Sequence, residues 1–186
     1  MTRQHQVFFQ QVQNEWITRL NGLPSHQVHH VVTHETGLWL ATPSGLTLYD
    51  GNRVQVFTRE HGLLTHGLRR VILNGDQLIV CSDLGVDCFD VINHRVTHQL
   101  STAELGIGWC QDAVQFDDDK LMLACAQGLR IWQPESGTVE SVGSDIDEDH
   151  ILNVVQFERE RVLIHANNTG LWLYDNGELQ KFVDDA

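Results

Sequence analysis

Short apolar runs alternate along the chain with clusters of Gly, Asn, Asp and Ser, and the runs follow no helical period. Runs of about four to six residues rich in Val, Leu, Ile and aromatics, bounded in this way, predict short β-strands joined by tight turns. Asp50-Gly51 and Asn176-Gly177 are turn dipeptides, and Asn74-Gly75-Asp76 marks a hairpin. Several runs are apolar at consecutive positions, among them Leu78-Ile79-Val80 and Leu171-Trp172-Leu173. Such strands are expected in sheets covered on both faces.

The runs recur four times in one order. The first set is Val28–Val32, Leu38–Thr42, Gly45–Gly51 and Val54–Phe57; the second is Leu68–Leu73, Leu78–Ser82, Gly85–Asp90 and Arg95–Thr97. The third is Ala113–Phe116, Leu121–Cys125, Gly128–Trp132 and Thr138–Glu140; the fourth is Ile151–Phe157, Val162–Ala166, Gly170–Asp175 and Leu179–Phe182. Gly45, Gly85, Gly128 and Gly170 fall at equivalent places, 40, 43 and 42 residues apart. Four strands repeated at about 40–45 residues is the period of a β-propeller blade.

The expected fold is therefore all-β: four four-stranded antiparallel blades plus an N-terminal strand of a further blade. The repeats run over about 22–61, 62–104, 105–145 and 146–186 of a single, partial propeller domain, preceded by an N-terminal segment, 1–21. Trp16–Leu23 aligns with Val56–Leu63 and looks like the outermost strand of a blade whose inner strands are missing. Residues 5–12 read equally as strand or helical turn. An open ring exposes two apolar blade faces, which single soluble chains rarely tolerate. The chain is thus expected to be part of a longer propeller or to complete its ring with another chain. Small residues after each second strand, Ala41-Thr42, Cys81-Ser82 and Ala124-Cys125, suit close approach of neighbouring blades. His165 is the misfit in that series, because a large polar ring there must find a partner or reach solvent.

Within the first repeat, Gly22-Leu23-Pro24-Ser25, Gly37-Leu38-Trp39-Leu40-Ala41-Thr42, Gly45-Leu46 and Leu48-Tyr49-Asp50-Gly51 resemble the two-component regulator propeller repeat. The second repeat keeps Gly62-Leu63 and Gly85-Val86 with Leu64 in place of Pro; the third and fourth keep mainly Gly128–Trp132 and Gly170–Asp175. The resemblance covers roughly residues 14–183 and is specific for fold rather than ligand. It implies a ligand-sensing β-propeller of the kind found in periplasmic sensor regions of hybrid two-component systems and related signalling proteins. Those receptors carry more repeats, a signal sequence, a membrane span and an output domain.

Of the 186 residues, 12 are Lys or Arg and 25 Asp or Glu, giving a net charge of −13. That excess repels phosphate backbones and anionic headgroups, so neither nucleic acid nor membrane insertion is expected. No apolar run approaches the roughly 20 residues of a membrane span, and no signal-type stretch opens the sequence. As it stands the chain is expected in the cytoplasm; as a piece of a receptor it would be periplasmic. Cys81, Cys88, Cys110 and Cys125 lack metal-site spacing and are expected to be reduced, buried small hydrophobes.

Histidine is the one over-represented reactive type, at 11 residues. His26 and His66 align just before the innermost strands, with His150 within about one residue of that place. His29 and His30 align with Arg69 and Arg70. The candidate ligand-binding set at the channel mouth is His26, His29, His66, Arg69, Trp109 and His150, and a mixed His/Arg rim there suits an acidic ligand. The plainer reading is a polar rim satisfied by water. The runs Asp117–Asp119 and Asp145–Asp149 lack the Gly and distal Glu of a calcium loop and read as solvated acidic turns. No nucleophile elbow, zinc-protease helix or phosphate-cradling loop occurs, so neither catalytic residues, metal nor cofactor are assigned. Trp39, Trp132 and Trp172 lie inside expected strands and read as core.

The sequence thus points to a non-catalytic sensor or binding module that recognises a small-molecule or protein ligand through channel-side loops. Two alternatives stay open. One is a propeller lyase resembling streptogramin-type lyases, with channel-side His and a metal; the other is a structural assembly subunit whose open edges are its interfaces.

Overall fold

A computed structural model describes residues 22–182, apart from 107, 118, 147 and 159. The strand proposed for 16–23 and the segment 5–12 lie outside the described residues, except Gly22 and Leu23. The rest forms four four-stranded antiparallel sheets in which chain order equals spatial order. The first holds β1 (His30–His34), β2 (Gly37–Thr42), β3 (Gly45–Tyr49) and β4 (Val54–Phe57). The second holds β5 (Leu68–Asn74), β6 (Gln77–Ser82), β7 (Gly85–Asp90) and β8 (Arg95–Ser101). The third holds β9 (Cys110–Asp117), β10 (Lys120–Cys125), β11 (Leu129–Gln133) and β12 (Thr138–Val142). The fourth holds β13 (Ile151–Glu158), β14 (Arg161–Ala166), β15 (Gly170–Asp175) and β16 (Glu178–Lys181). These are the four repeats read from the sequence, and the sheets are the blades of an open propeller.

The hairpins explain why glycine recurs at the start of each third strand. Gly45 and Gly85 have φ of 137° and 134°, a region L side chains rarely enter. A Cβ at Gly85 would also collide with the Leu100 carbonyl oxygen, and one at Gly45 with that of Phe57. In blades 1 and 2 the third strand can therefore lie against the fourth only if this residue has no side chain.

Each blade has a trailing face, turned to the next blade, and a leading face, turned to the previous one. Trp39, Ala41, Leu46, Leu48 and Phe57 on the trailing face of blade 1 pack on Val71, Leu78, Val80 and Phe89 of blade 2. Ile79, Cys81, Val86 and Leu100 continue the series onto Ala113, Leu121, Leu123 and Trp132 of blade 3. Met122, Ala124, Leu129 and Val142 then meet Val154, Val162, Ile164 and Trp172 of blade 4. Burying one such Leu, Ile, Val or Phe contributes about 1.5–3 kcal/mol, so the three interfaces are the core of the molecule. Phe57 sits between two neighbours, stacked on Trp39 at 5.6 Å and edge-on to Phe89 at 5.0 Å.

The small residues do mark close approach of blades: Ala41, Cys81 and Ala124 are buried at blade interfaces, each as the register partner of Leu46, Val86 and Leu129. His165 occupies the same register place, opposite Leu171, and is exposed. It reaches solvent because no described blade follows the fourth. All four cysteines are free and buried. Burial pushes the Cys88 thiol up to about 12, which leaves it a packing residue rather than a nucleophile.

Candidate functional site

The innermost strands β1, β5, β9 and β13 lie side by side and line an open cleft of about 600 Å³. The residues entering them are fixed by backbone hydrogen bonds to the end of the second strand or just beyond. His29 N–H donates to the Ala41 carbonyl at 2.9 Å, Ala126 N–H to the Trp109 carbonyl at 3.0 Å, and Asn167 N–H to the His150 carbonyl at 2.9 Å. Register shifts then follow, between Leu68 and Arg70 in β5, opposite Ala124/Cys125 in β9, and between Ile151 and Asn153 in β13. A bulge re-aims side chains, so adjacent residues on these strands serve two separate tiers.

The outer tier joins three of the residues singled out from sequence. The Arg69 guanidinium carbon lies 4.0 Å from the centre of the Trp109 ring, and Trp109 meets His150 edge-on at 4.9 Å. Blades 2, 3 and 4 thus contribute one member each. Arg69 is also ion-paired with Asp83. His150 keeps an enclosed Nε2 with no hydrogen-bond partner among the described residues. His29 stands beside the stack, its Nδ1 2.6 Å from the Leu68 carbonyl oxygen. His26 and His66 are exposed and do not join it.

The inner tier was not singled out as a site. His30, Arg70, Asp112 and Asn153 occupy equivalent places on the four inner strands, facing Ala41, Cys81, Ala124 and His165. Arg70 Nε lies 2.7 Å from Asp112 Oδ1, and Asp112 is almost fully buried. Its carboxylate also accepts from the Ala113 N–H at 2.9 Å, the Val154 N–H at 3.2 Å and Asn153 Nδ2 at 3.4 Å. Burial pushes its pKa up, against the pull of the Arg70 charge and these donors. Burial, then the Arg70 charge, push His30 down. The tier therefore locks blades 2, 3 and 4 together through one desolvated carboxylate. The signal for it was present in the repeat alignment, but its members differ in chemistry from blade to blade.

Both arginines at the mouth are thus engaged by carboxylates, Arg69 by Asp83 and Arg70 by Asp112, which removes the surplus positive charge that an anion site requires. Among the described residues no group of three or more His, Cys, Asp or Glu is disposed to hold a metal ion. What this tier offers is a part-buried indole plane backed by a guanidinium, held edge-on by an imidazole whose Nε2 is enclosed.

In the acidic run 145–149, Asp145 and Glu148 are exposed, in line with a solvated turn, and Asp149 departs from that reading. Asp149 is buried and accepts from Asn168 N–H at 3.1 Å, Thr169 N–H at 2.9 Å and Thr169 Oγ1 at 2.8 Å. It is the acceptor that shapes the β14–β15 turn. Burial works to raise its pKa and is outweighed by these donors, so the carboxyl lies below its usual range.

No family model and no curated protein matches the chain. Solved structures do match. The extracellular domain of the hybrid two component system BT4673 from B. thetaiotaomicron aligns with a TM-score of 0.68 at 18% identity, over 86% of this chain and 22% of that one. The WD40 beta propeller domain of Doa1 aligns at 0.59 and 16% identity, over 80% of this chain and 50% of that one. An ancestral GH74 enzyme aligns at 0.62 and 14% identity, over 86% and 24%. The chain spans about a fifth of the length of the BT4673 domain. At these identities the likeness shows the β-propeller fold, which the sequence resemblance implied, and the fold alone.

Proposed function

We propose that this chain is a non-catalytic binding module of a propeller sensor, taking its ligand at the channel mouth against Trp109, whose ring Arg69 and His150 hold in place. The observation that carries the reading is the stack itself. Three blades deliver Arg69, Trp109 and His150 to one place, and His150 Nε2 is left without a partner there. An aromatic plane beside a few convergent polar groups on a rigid scaffold suits recognition of a small planar ligand or of a side chain from a protein partner. The likeness to a sensor's extracellular domain supports the same reading and a location outside the cytoplasm. No described helix is long and apolar enough to cross a membrane.

The described His–carboxylate contacts do not support the lyase alternative. His34–Asp76 lies at the far end of the inner strands and His98–Glu135 on the outer side. Neither involves His26 or His66.

A thermal-shift screen of small planar aromatic compounds tests the proposal. Compounds that raise the melting temperature of the wild-type chain are expected to lose that effect with Trp109→Ala and His150→Ala, and to keep it with His98→Ala. Shifts unchanged in Trp109→Ala, or turnover abolished by a combined His26→Ala, His66→Ala variant, would contradict it.

A further inference from the structure

Repeat register lets the joints between described blades be compared place by place. At the joint of blades 1 and 2 the hairpin end is filled. The Trp39 indole reaches it, Nε1 donating to Thr36 Oγ1 at 3.0 Å. His94, in the turn after β7, lies edge-on to Trp39 at 5.9 Å and to Phe57 at 5.0 Å, and Val91 of the same turn is fully buried. His34 meets Asp76 across this joint at 3.1 Å. At the joint of blades 3 and 4 the rings of Phe116 and Tyr174 meet, 5.6 Å apart.

The joint of blades 2 and 3 has none of these three rings. Register puts Ile79 in the place of Trp39 and Leu100 in that of Phe57, and Gly137 takes the turn position of His94. Asn74 stands where blade 1 has His34. The missing ring volume leaves a cavity of about 140 Å³ between the blades, well below the roughly 300 Å³ at which drug-sized sites begin. Only a small group fits.

The lining is polar. Asn74, Gln77 and His98 come from blade 2, and Gln115, Asp119 and Glu135 from blade 3. Asn74 donates to Gln115, Gln77 Nε2 to Thr97 Oγ1 at 3.3 Å, and Gln133 Nε2 to Asp119 at 3.3 Å. His98 Nε2 lies 3.6 Å from Glu135 Oε1, and its Nδ1 is enclosed with no partner among the described residues. Among the described residues no Lys or Arg lines the cavity, while Asp119 and Glu135 stand exposed at its rim. An anion is repelled there, whereas a cation carrying N–H donors finds carboxylate and amide acceptors.

We propose that this cavity binds a small free organic cation, a guanidinium or alkylammonium group donating to Asp119 and Glu135 with its carbon chain against Leu121 and Pro134. The net charge of −13 draws cations to the whole surface, and the opening between blades 2 and 3 gives one of them a place to dock. The inference does not depend on what binds at the channel mouth.

Nuclear magnetic resonance titration of the chain with n-butylguanidinium tests it, with butyrate as the anion of matching chain. The guanidinium is expected to shift the amides of Asn74, Gln77 and Glu135 to saturation at one site per chain, and butyrate to shift none. Asp119→Asn and Glu135→Gln should each weaken binding about three-fold or more, and together about ten-fold. Asp76→Asn removes the same charge from the corresponding hairpin of blade 2, where the joint is filled, and should leave the affinity unchanged. Unchanged melting of the variants separates lost binding from lost folding. A blocked arginine tripeptide asks whether the same group comes instead from a protein partner; its backbone does not fit, so it should bind more weakly. Shifts that do not saturate, butyrate binding as well as the guanidinium, Asp76→Asn costing as much as Asp119→Asn, or tighter binding of the tripeptide would overturn the inference.

Discussion

Blades 2 and 4 are built from the same order of strands and differ in what flanks them. In β6 every residue after Gln77 is buried; in β14 buried Val162, Ile164 and Ala166 alternate with part-exposed Leu163 and exposed His165. All five residues after Gln77 in β6 and four of the five after Arg161 in β14 are apolar or small, so most of the difference lies in the neighbours. Blade 2 is covered on both faces, blade 4 on one. A propeller blade is thus only half specified by its own residues, and its stability is set largely by the joints it makes.

The sharpest way to break this comparison is to make one substitution at the same repeat position in both places. Phe57→Ala removes a fully buried ring between two blades and should cost about 3–5 kcal/mol, while Phe182→Ala should cost less than about 1 kcal/mol. Urea unfolding measures both. Equal costs would mean that the two faces are not in different environments.

The glycines give a second contrast of smaller size. Gly85→Ala combines a forbidden φ with a collision against the Leu100 carbonyl, whereas at Gly170 a Cβ meets no atom within 4 Å and only the positive φ of 86° remains. Gly85→Ala is expected to lower the melting temperature well beyond the effect of Gly170→Ala, whose strain is on the order of 1–2 kcal/mol.

Asp87 and Asp149 sharpen the same comparison through pH. Burial raises Asp87 to about 6, against hydrogen bonds from Gln99 and the Leu64 N–H. Folding therefore takes up a proton at this site between the unfolded carboxylate range and about pH 6. The stability it contributes is fully present in acid and is lost as pH rises through about 6, by on the order of 2–3 kcal/mol. Asp87→Asn should flatten that part of the stability profile. Asp149 in the turn of blade 4 acts with the opposite sign: its pKa is lowered, so its contribution is present near neutrality and fades as pH falls through the folded value. Asp149→Ala should cost about 1–3 kcal/mol at pH 7, because buried donors of Asn168 and Thr169 lose their acceptor. Denaturant melts on the two variants from pH 7 down through the carboxylate range read both effects.

Periodicity made the architecture legible. The spacing of Gly45, Gly85, Gly128 and Gly170 reflects hairpins that need a positive φ, and at Gly45 and Gly85 a side chain would also collide with the neighbouring strand. The apolar positions were legible for the same reason, since each blade interface reuses one register. Arg69, Trp109 and His150 were singled out from the sequence because they fall at the entries of inner strands, and the three do meet. Their stacking could not be read, because it depends on the angle between blades. Asp112 and Asn153 were missed because bulges shift which neighbour each inner-strand residue faces, and one repeat position carries His, Arg, Asp and Asn in turn. Asp149 was taken for a solvated acid because its acceptor role depends on Asn168 and Thr169, nearly twenty residues further along and on a different hairpin.

Hydrogen exchange on this chain tests most directly whether neighbouring blades, rather than the strands themselves, confer stability. Amides of β6 and β10 should exchange slowest and at similar rates, through global unfolding, while those of β14 and β15 should open earlier by local unfolding. Uniform protection across all four sheets would contradict the account.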